Sequence, residues 1–96
     1  MIVEWSPLAR LDYWKNIEYL ETEWSEKEVI SFIENVDSTL NLLKRNNIQF
    51  IKTHYNGVLK VVVVKQISLF YTIQDDRIEL LRFWNNYQDL SNFKLR

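Results

Sequence analysis

The sequence predicts one α+β domain over residues 1–96, an antiparallel sheet packed against a helical hairpin in the order β-α-α-β-β-β. Three observations carry this reading. Apolar residues recur every three to four positions as far as Leu43, then every second position from Ile67 onward. A helix-start signature, Ser25-Glu26-Lys27-Glu28, splits the helical half with almost no linker, so the two helices must fold back on each other. Three strand-like runs are separated by very short connectors, as in a meander.

The chain opens on a short strand signal, Ile2-Val3-Glu4-Trp5. Ser6-Pro7 then starts a helix, because Ser caps well and the missing N–H of Pro has no partner to lose at the first helical position. Ala9, Tyr13, Ile17, Leu20 and Trp24 fall on one face of that helix. The Ser25 hydroxyl is placed to accept from the Glu28 N–H while the Glu28 carboxylate reaches back, with Trp24 and Val29 at the positions of a hydrophobic staple. Val29, Phe32, Ile33, Val36, Leu40 and Leu43 form the apolar stripe of the second helix. Lys44 and Arg45 suit its negative end, and Asn46-Asn47 is its exit. The stretch Ile48 to Tyr55 reads either as a strand closed by a turn at Asn56-Gly57 or as a loop with a short extended piece. Val58 to Val64, nearly all apolar and β-branched, reads as a strand buried on both faces. Ile67, Leu69, Tyr71 and Ile73 alternate along the next strand. Ile78, Leu80, Arg82 and Trp84 alternate along the last. The hairpin covers one sheet face and leaves the other open or covered by something else.

Composition narrows the function. The 47% hydrophobic and 15% aromatic content excludes a disordered chain. With no Cys there is no disulfide framework or thiolate metal site, and with a single His no protein-built zinc site and no cofactor is expected. No apolar run approaches the ~20 residues that span a bilayer, and the first residues lack the pattern of a signal peptide, so a soluble, cytoplasmic protein with no membrane partner is expected. The formal charge of −1 hides an asymmetry. Residues 1–40 hold three basic and nine acidic side chains, a net of −6, whereas residues 41–96 hold nine basic and four acidic, a net of +5. Either these are two solvated faces of opposite sign or the second half meets an anion. The near-neutral total argues against a general nucleic-acid binder.

The opening Val3-Glu4-Trp5-Ser6-Pro7-Leu8-Ala9 and the run Val64-Lys65-Gln66-Ile67-Ser68-Leu69-Phe70-Tyr71-Thr72-Ile73, in this element order, resemble the RelE/ParE toxin superfamily of type II toxin–antitoxin systems. The segment Ile78-Glu79-Leu80-Leu81-Arg82-Phe83-Trp84-Asn85-Asn86-Tyr87-Gln88-Asp89 resembles the last strand and tail of its ParE-like branch. The resemblance implies a bacterial toxin that inhibits growth and is neutralised by a cognate antitoxin. ParE-like members poison DNA gyrase, whereas RelE-like members cut mRNA on the ribosome.

Cutting RNA with its own 2′-OH needs a base, an acid and cations around the phosphorus. Nuclease members of the superfamily show a His, then Arg residues, then Asp/Asn-Pro after the final strand. Here Asn85 takes the place of the His, Tyr87 and Gln88 the places of the Arg residues, Asp89 matches, and Leu90 replaces the Pro. Asn and Gln carry no protons at neutral pH. The expectation is therefore a ParE-like toxin without catalytic residues, gripping a protein target, DNA gyrase, through Arg82, Trp84, Asn85 and Tyr87. The alternative is a ribosome-dependent endoribonuclease, for which Arg82 and Tyr87 are the catalytic candidates. Arg82 reads either as a phosphate contact or as a half-buried Arg whose stem packs on the sheet. Lys52, Lys60 and Lys65 read as solvated side chains that would add cations only if they share one side of the sheet, and His54 reads as a surface or hydrogen-bonded group. Trp14 is expected between helix and sheet, and Trp84 either in the core or as a partner anchor.

Overall fold

The computed structural model describes residues 1–46, 50–88 and 90–95. Its elements are β1 (Ile2–Trp5), α1 (Pro7–Glu23), α2 (Glu26–Lys44), β2 (Ile51–Lys52), β3 (Leu59–Val64), β4 (Ile67–Gln74) and β5 (Arg77–Asn85), followed by a 3-10 turn at Leu90–Asn92. The strands lie in the order β1-β5-β4-β3-β2. The β3-β4-β5 meander is antiparallel, and β2 extends it. β1 pairs in parallel with β5, so the sheet is mixed rather than antiparallel throughout. The two strands are remote in sequence, separated by both helices and the other three strands, a long connection that permits parallel pairing.

Ser6 caps α1 in an extended conformation, its hydroxyl accepting the Ala9 N–H at 3.0 Å, with Pro7 in the first turn. Ala9 and Leu20 are fully buried. Trp14 does not lie between helix and sheet. It is 67% exposed and meets Tyr13 edge-on, because one residue along a helix turns the side chain about 100° and Tyr13 holds the inward position. At the start of α2 the reciprocal box forms differently from expectation. The Ser25 hydroxyl donates to the Glu28 carboxylate instead of accepting from the Glu28 N–H, which bonds the Ser25 carbonyl at 3.1 Å. That hydrogen bond holds the Glu28 carboxyl below its ordinary pKa. Trp24 is an exposed residue beside Tyr87. Val29, Phe32, Val36 and Leu43 are buried, whereas Ile33, at the edge of the stripe, is largely exposed. Asn46, at φ +55°, ends the helix, and its N–H bonds the Leu43 carbonyl. Asn47, Ile48 and Gln49 lie outside the described residues.

Asn56-Gly57 closes a hairpin. Gly57 takes φ +76°, and the Val58 N–H bonds the Tyr55 carbonyl at 3.0 Å. β3 is not buried on both faces: Val63 is buried under the helices but Val62, opposite Ser68, is half exposed, outside the cluster that the C-terminal tail covers. The alternation expected along β5 also breaks. Phe70 pairs with Arg82 but Tyr71 with Leu80, so Leu81 is a surplus residue in a bulge. Ile78, Leu80 and Phe83 therefore join the core under the helices, while Leu81 and Trp84 join a second cluster with Val58 and Phe70. This opposite face is not open. Phe93 and Leu95 of the C-terminal tail pack on it, with Phe93 ring centroids 4.7 Å from Phe70 and 4.9 Å from Trp84.

Candidate functional site

β1 ends opposite Leu80, and β5 runs on without it. An uncovered strand edge inside a protein leaves backbone groups unpaired. Side chains from the α1 region take over that pairing. The Ser6 hydroxyl donates to the Leu81 carbonyl at 3.0 Å, Asn16 Nδ2 donates to the Phe83 carbonyl at 2.8 Å, and Asp12 Oδ2 accepts the Phe83 N–H at 3.1 Å. Asp12 and Asn16 are buried for this reason, although the sequence offers them only as polar residues on a helix.

The same Asp12 carboxylate fixes Arg82. Its Nε donates to Oδ2 at 2.6 Å and its Nη2 to Oδ1 at 3.0 Å, a two-point ion pair with both side chains largely buried. Arg82 Nη1 donates to the Lys94 carbonyl, and the guanidinium lies 5.6 Å from the Trp84 ring centroid. Arg82 is thus more than a packed stem: its head joins helix, strand and tail. Trp84 is only 4% exposed, and its indole N–H is buried with no hydrogen-bond acceptor among the described residues.

Asn85 and Tyr87 go elsewhere. Asn85 is buried, and its Oδ1 accepts the Tyr87 N–H at 2.8 Å, a local turn that ends the strand. Asn86 ties this turn to the β3-β4 connection: it accepts from the Ser68 hydroxyl, donates to the Lys65 carbonyl, and its N–H bonds the Gln66 carbonyl at 2.7 Å. Tyr87 is 59% exposed and stacks on Trp24, with centroids 6.0 Å apart and planes 24° apart. Lys65 Nζ lies 4.8 Å from the Trp24 centroid. A depression of about 310 Å³ adjoins this corner, lined by Lys27, Glu28, Ser31 and Asn35 among others.

The four expected contact residues therefore separate into two places, Arg82 and Trp84 beneath the tail and Asn85 and Tyr87 at an aromatic corner with Trp24 and Lys65. The three lysines also separate. Lys52 and Lys60 line a groove of about 480 Å³ with His54, Tyr55, Phe70 and Phe93, and Lys65 sits at the corner. Asp89 lies outside the described residues. Among the described residues no three His, Asp or Glu side chains converge as a metal site. No helix is long and apolar enough to cross a membrane. Burial raises the pKa of the Tyr71 phenol, whose hydroxyl has no hydrogen-bond partner among the described residues, and burial followed by the Asp37 charge raises that of Tyr13. Both work as packed aromatics in the core, where Tyr13 lies 5.4 Å from Trp5 and from Phe32.

A helical hairpin on a five-stranded mixed sheet is the architecture of RelE/ParE-like toxins. The chain belongs to the family described as the ParE toxin of the type II toxin–antitoxin system parDE, whose model matches residues 3–90. Among solved structures, the chromosomal ParDE TA system from P. aeruginosa superposes with a TM-score of 0.72 at 14% identity, over 88% of this chain and 95% of that one. The YoeB dimer from Staphylococcus aureus gives 0.63 at 19%, over 91% and 98%, and YafQ from E. coli strain BL21(DE3) gives 0.60 at 13%, over 88% and 91%. At these identities the likeness establishes the fold alone. No curated protein sequence matches significantly.

Proposed function

We propose that this ParE-family toxin arrests growth by stoichiometric binding to a protein target, DNA gyrase, and that a cognate antitoxin neutralises it. The carrying observation is the chemistry at the end of β5. Arg82 is committed to Asp12 and the tail, the amides of Asn85 and Asn86 hold turns, and Gln88 adds a third amide, none of which shuttles a proton. What reaches solvent is an interface chemistry, the Trp24–Tyr87 stack with Lys65 beside it. Induction without antitoxin is expected to stop DNA synthesis and raise DNA damage while translation continues, and purified protein is expected to inhibit gyrase supercoiling. Immediate loss of translation with mRNA cut on ribosomes would reject this reading.

A second reading, a ribosome-dependent endoribonuclease, draws on the groove that gathers Lys52, His54 and Lys60 beside Phe70 and Phe93. Three groups with positive or protonatable heads and the rings of Tyr55, Phe70 and Phe93 suit a phosphate and a base. In that case Lys52→Ala with Lys60→Ala abolishes toxicity in a folded chain. Intact ribosome-bound mRNA in the presence of the purified parent excludes the reading.

A further inference from the structure

The corner where Tyr87 meets Trp24 holds more polar chemistry than its own contacts use. The depression beside it, about 310 Å³, is lined by Lys27 and Glu28 from the start of α2 and by Lys65 and Gln66 from the β3-β4 turn. Gln66 is only 3% exposed, yet its side-chain amide has no hydrogen-bond partner among the described residues. That amide is not sealed in, since the side-chain atoms fully buried without a partner belong to Tyr71 and Trp84. It therefore opens into the depression that Gln66 lines. A polar group held this way is ready for a partner, because leaving it unpaired is costly. Its position is fixed from behind: the Gln66 carbonyl accepts the Asn86 N–H, and Asn86 Nδ2 donates to the Lys65 carbonyl.

The cations are available as well. Among the described residues neither Lys27 nor Lys65 has an ion-pair partner. Glu28 is close by, but its carboxylate takes the Ser25 hydroxyl. Two ammonium groups and an amide N–H₂ around one recess suit a carboxylate, which accepts charge-assisted hydrogen bonds from both kinds of donor. Two lysines beside a carboxylate are too few to follow a phosphate backbone, which calls for a row of cations. On the rim, Trp24 and Tyr87 are exposed and stacked, the residue types that anchor protein interfaces. We propose that the toxin grips its protein target at this corner: an Asp or Glu side chain of the target enters the depression against Lys27, Lys65 and the Gln66 amide, and an apolar neighbour of that acid lies on the Trp24–Tyr87 stack. The inference rests on the protein-target reading above and names the surface and the chemistry that it recognises.

Four substitutions test it. Lys65→Glu reverses one charge on an exposed side chain, and Gln66→Glu, nearly the same shape, sets a carboxylate against the incoming one. Tyr87→Ala removes half of the aromatic stack. Lys15→Glu makes the same charge change on the exposed surface of α1, away from the corner. Each full-length variant is titrated against purified gyrase at two salt concentrations, and against a plain DNA duplex, with circular dichroism as the folding control. Lys65→Glu and Gln66→Glu are expected to weaken gyrase binding about tenfold or more and to flatten its salt dependence. Tyr87→Ala is expected to weaken it by a similar factor with the salt dependence kept, and Lys15→Glu to stay within about twofold of the parent. A folded Lys65→Glu chain that binds gyrase as the parent does overturns the inference and leaves the protein-target reading standing; it decides the matter should Gln66→Glu fail to fold. Equal losses from Lys65→Glu and Lys15→Glu overturn it too, since they report net charge alone. An unchanged Tyr87→Ala overturns the apolar contact. A parent that binds the duplex by itself, and loses that binding in Lys65→Glu, replaces the carboxylate with a phosphate and overturns the inference. A parent that does not bind gyrase overturns the protein-target reading itself, and the inference with it.

Discussion

The two faces of the sheet are both apolar, yet they are covered in different ways. On one face, α1 and α2 lay 17 and 19 residues of helix over Leu69, Tyr71, Ile78, Leu80 and Phe83, and polar side chains of α1 complete the hydrogen bonding of β5. On the other, the short tail covers Val58, Phe70, Leu81 and Trp84, chiefly through Phe93 and Leu95 and the Arg82–Lys94 hydrogen bond. The first cover is part of the fold's cooperative unit. The second rests on few buried groups, the hallmark of a region that opens locally at low free energy. The unpaired indole N–H of Trp84 fits that contrast, because the helix-covered side pairs the backbone of Phe83 on both its N–H and its C=O.

Breaking the helix-covered side has the largest expected effect. Asp12→Ala leaves the Arg82 guanidinium without its carboxylate and the buried Phe83 N–H without its acceptor. The expected loss is about 3–5 kcal/mol of global stability, read as a shift in the urea midpoint at unchanged slope. A loss under about 1 kcal/mol would mean that the ion pair contributes little and that Asn16 and Ser6 suffice to hold the edge. On the tail-covered side, Phe93→Ala removes three ring contacts, to Tyr55, Phe70 and Trp84. A local loss of about 1–2 kcal/mol is expected. It should show as faster hydrogen exchange of the Trp84 indole with a nearly unchanged global midpoint, and a large global shift would erase the distinction between the faces. The smallest effect lies outside both faces. Ser25→Ala removes the main cause of the lowered Glu28 pKa, so the carboxyl should titrate at higher pH by NMR. The sign follows from linkage. A lowered folded pKa stabilises the native state above the unfolded pKa, and that contribution fades as pH falls through the folded value. A Glu28 titration unmoved by the substitution would assign the shift to the helix N-terminus instead.

Legibility in the sequence follows the range of the interaction. Ser6-Pro7, the Ser25–Glu28 box and the spacing of Val29, Phe32, Val36 and Leu43 act within a few residues, and the helices appear where those signals place them. Alternation and short connectors gave the meander for the same reason. Asp12 and Asn16 were not legible, because their burial depends on partners 71 and 67 residues away at a strand edge that exists only once β1 has stopped short. The separation of Arg82 and Trp84 from Tyr87 was equally hidden. It arises from the bulge at Leu81 and the turn made by Asn85, neither of which disturbs composition or period over a short strand. Within the site, the amide character of Asn85, Asn86 and Gln88 could be read from residue identity alone, whereas the Trp24–Tyr87–Lys65 corner required three segments to meet.

The surplus residue at Leu81 also makes the last strand a phase shifter. Upstream of it, even-numbered positions look toward the helices; downstream, odd-numbered ones do, as Ile78 and Leu80 against Phe83 show. A lineage that dropped Leu81 would pair β5 with β4 without interruption and keep Phe83 opposite Leu69 beneath the helices and Trp84 opposite Ser68 beneath the tail, so the extra residue changes the count along the strand and not what either surface displays. The strand can thus gain or shed a residue at this one point while both surfaces keep their side chains.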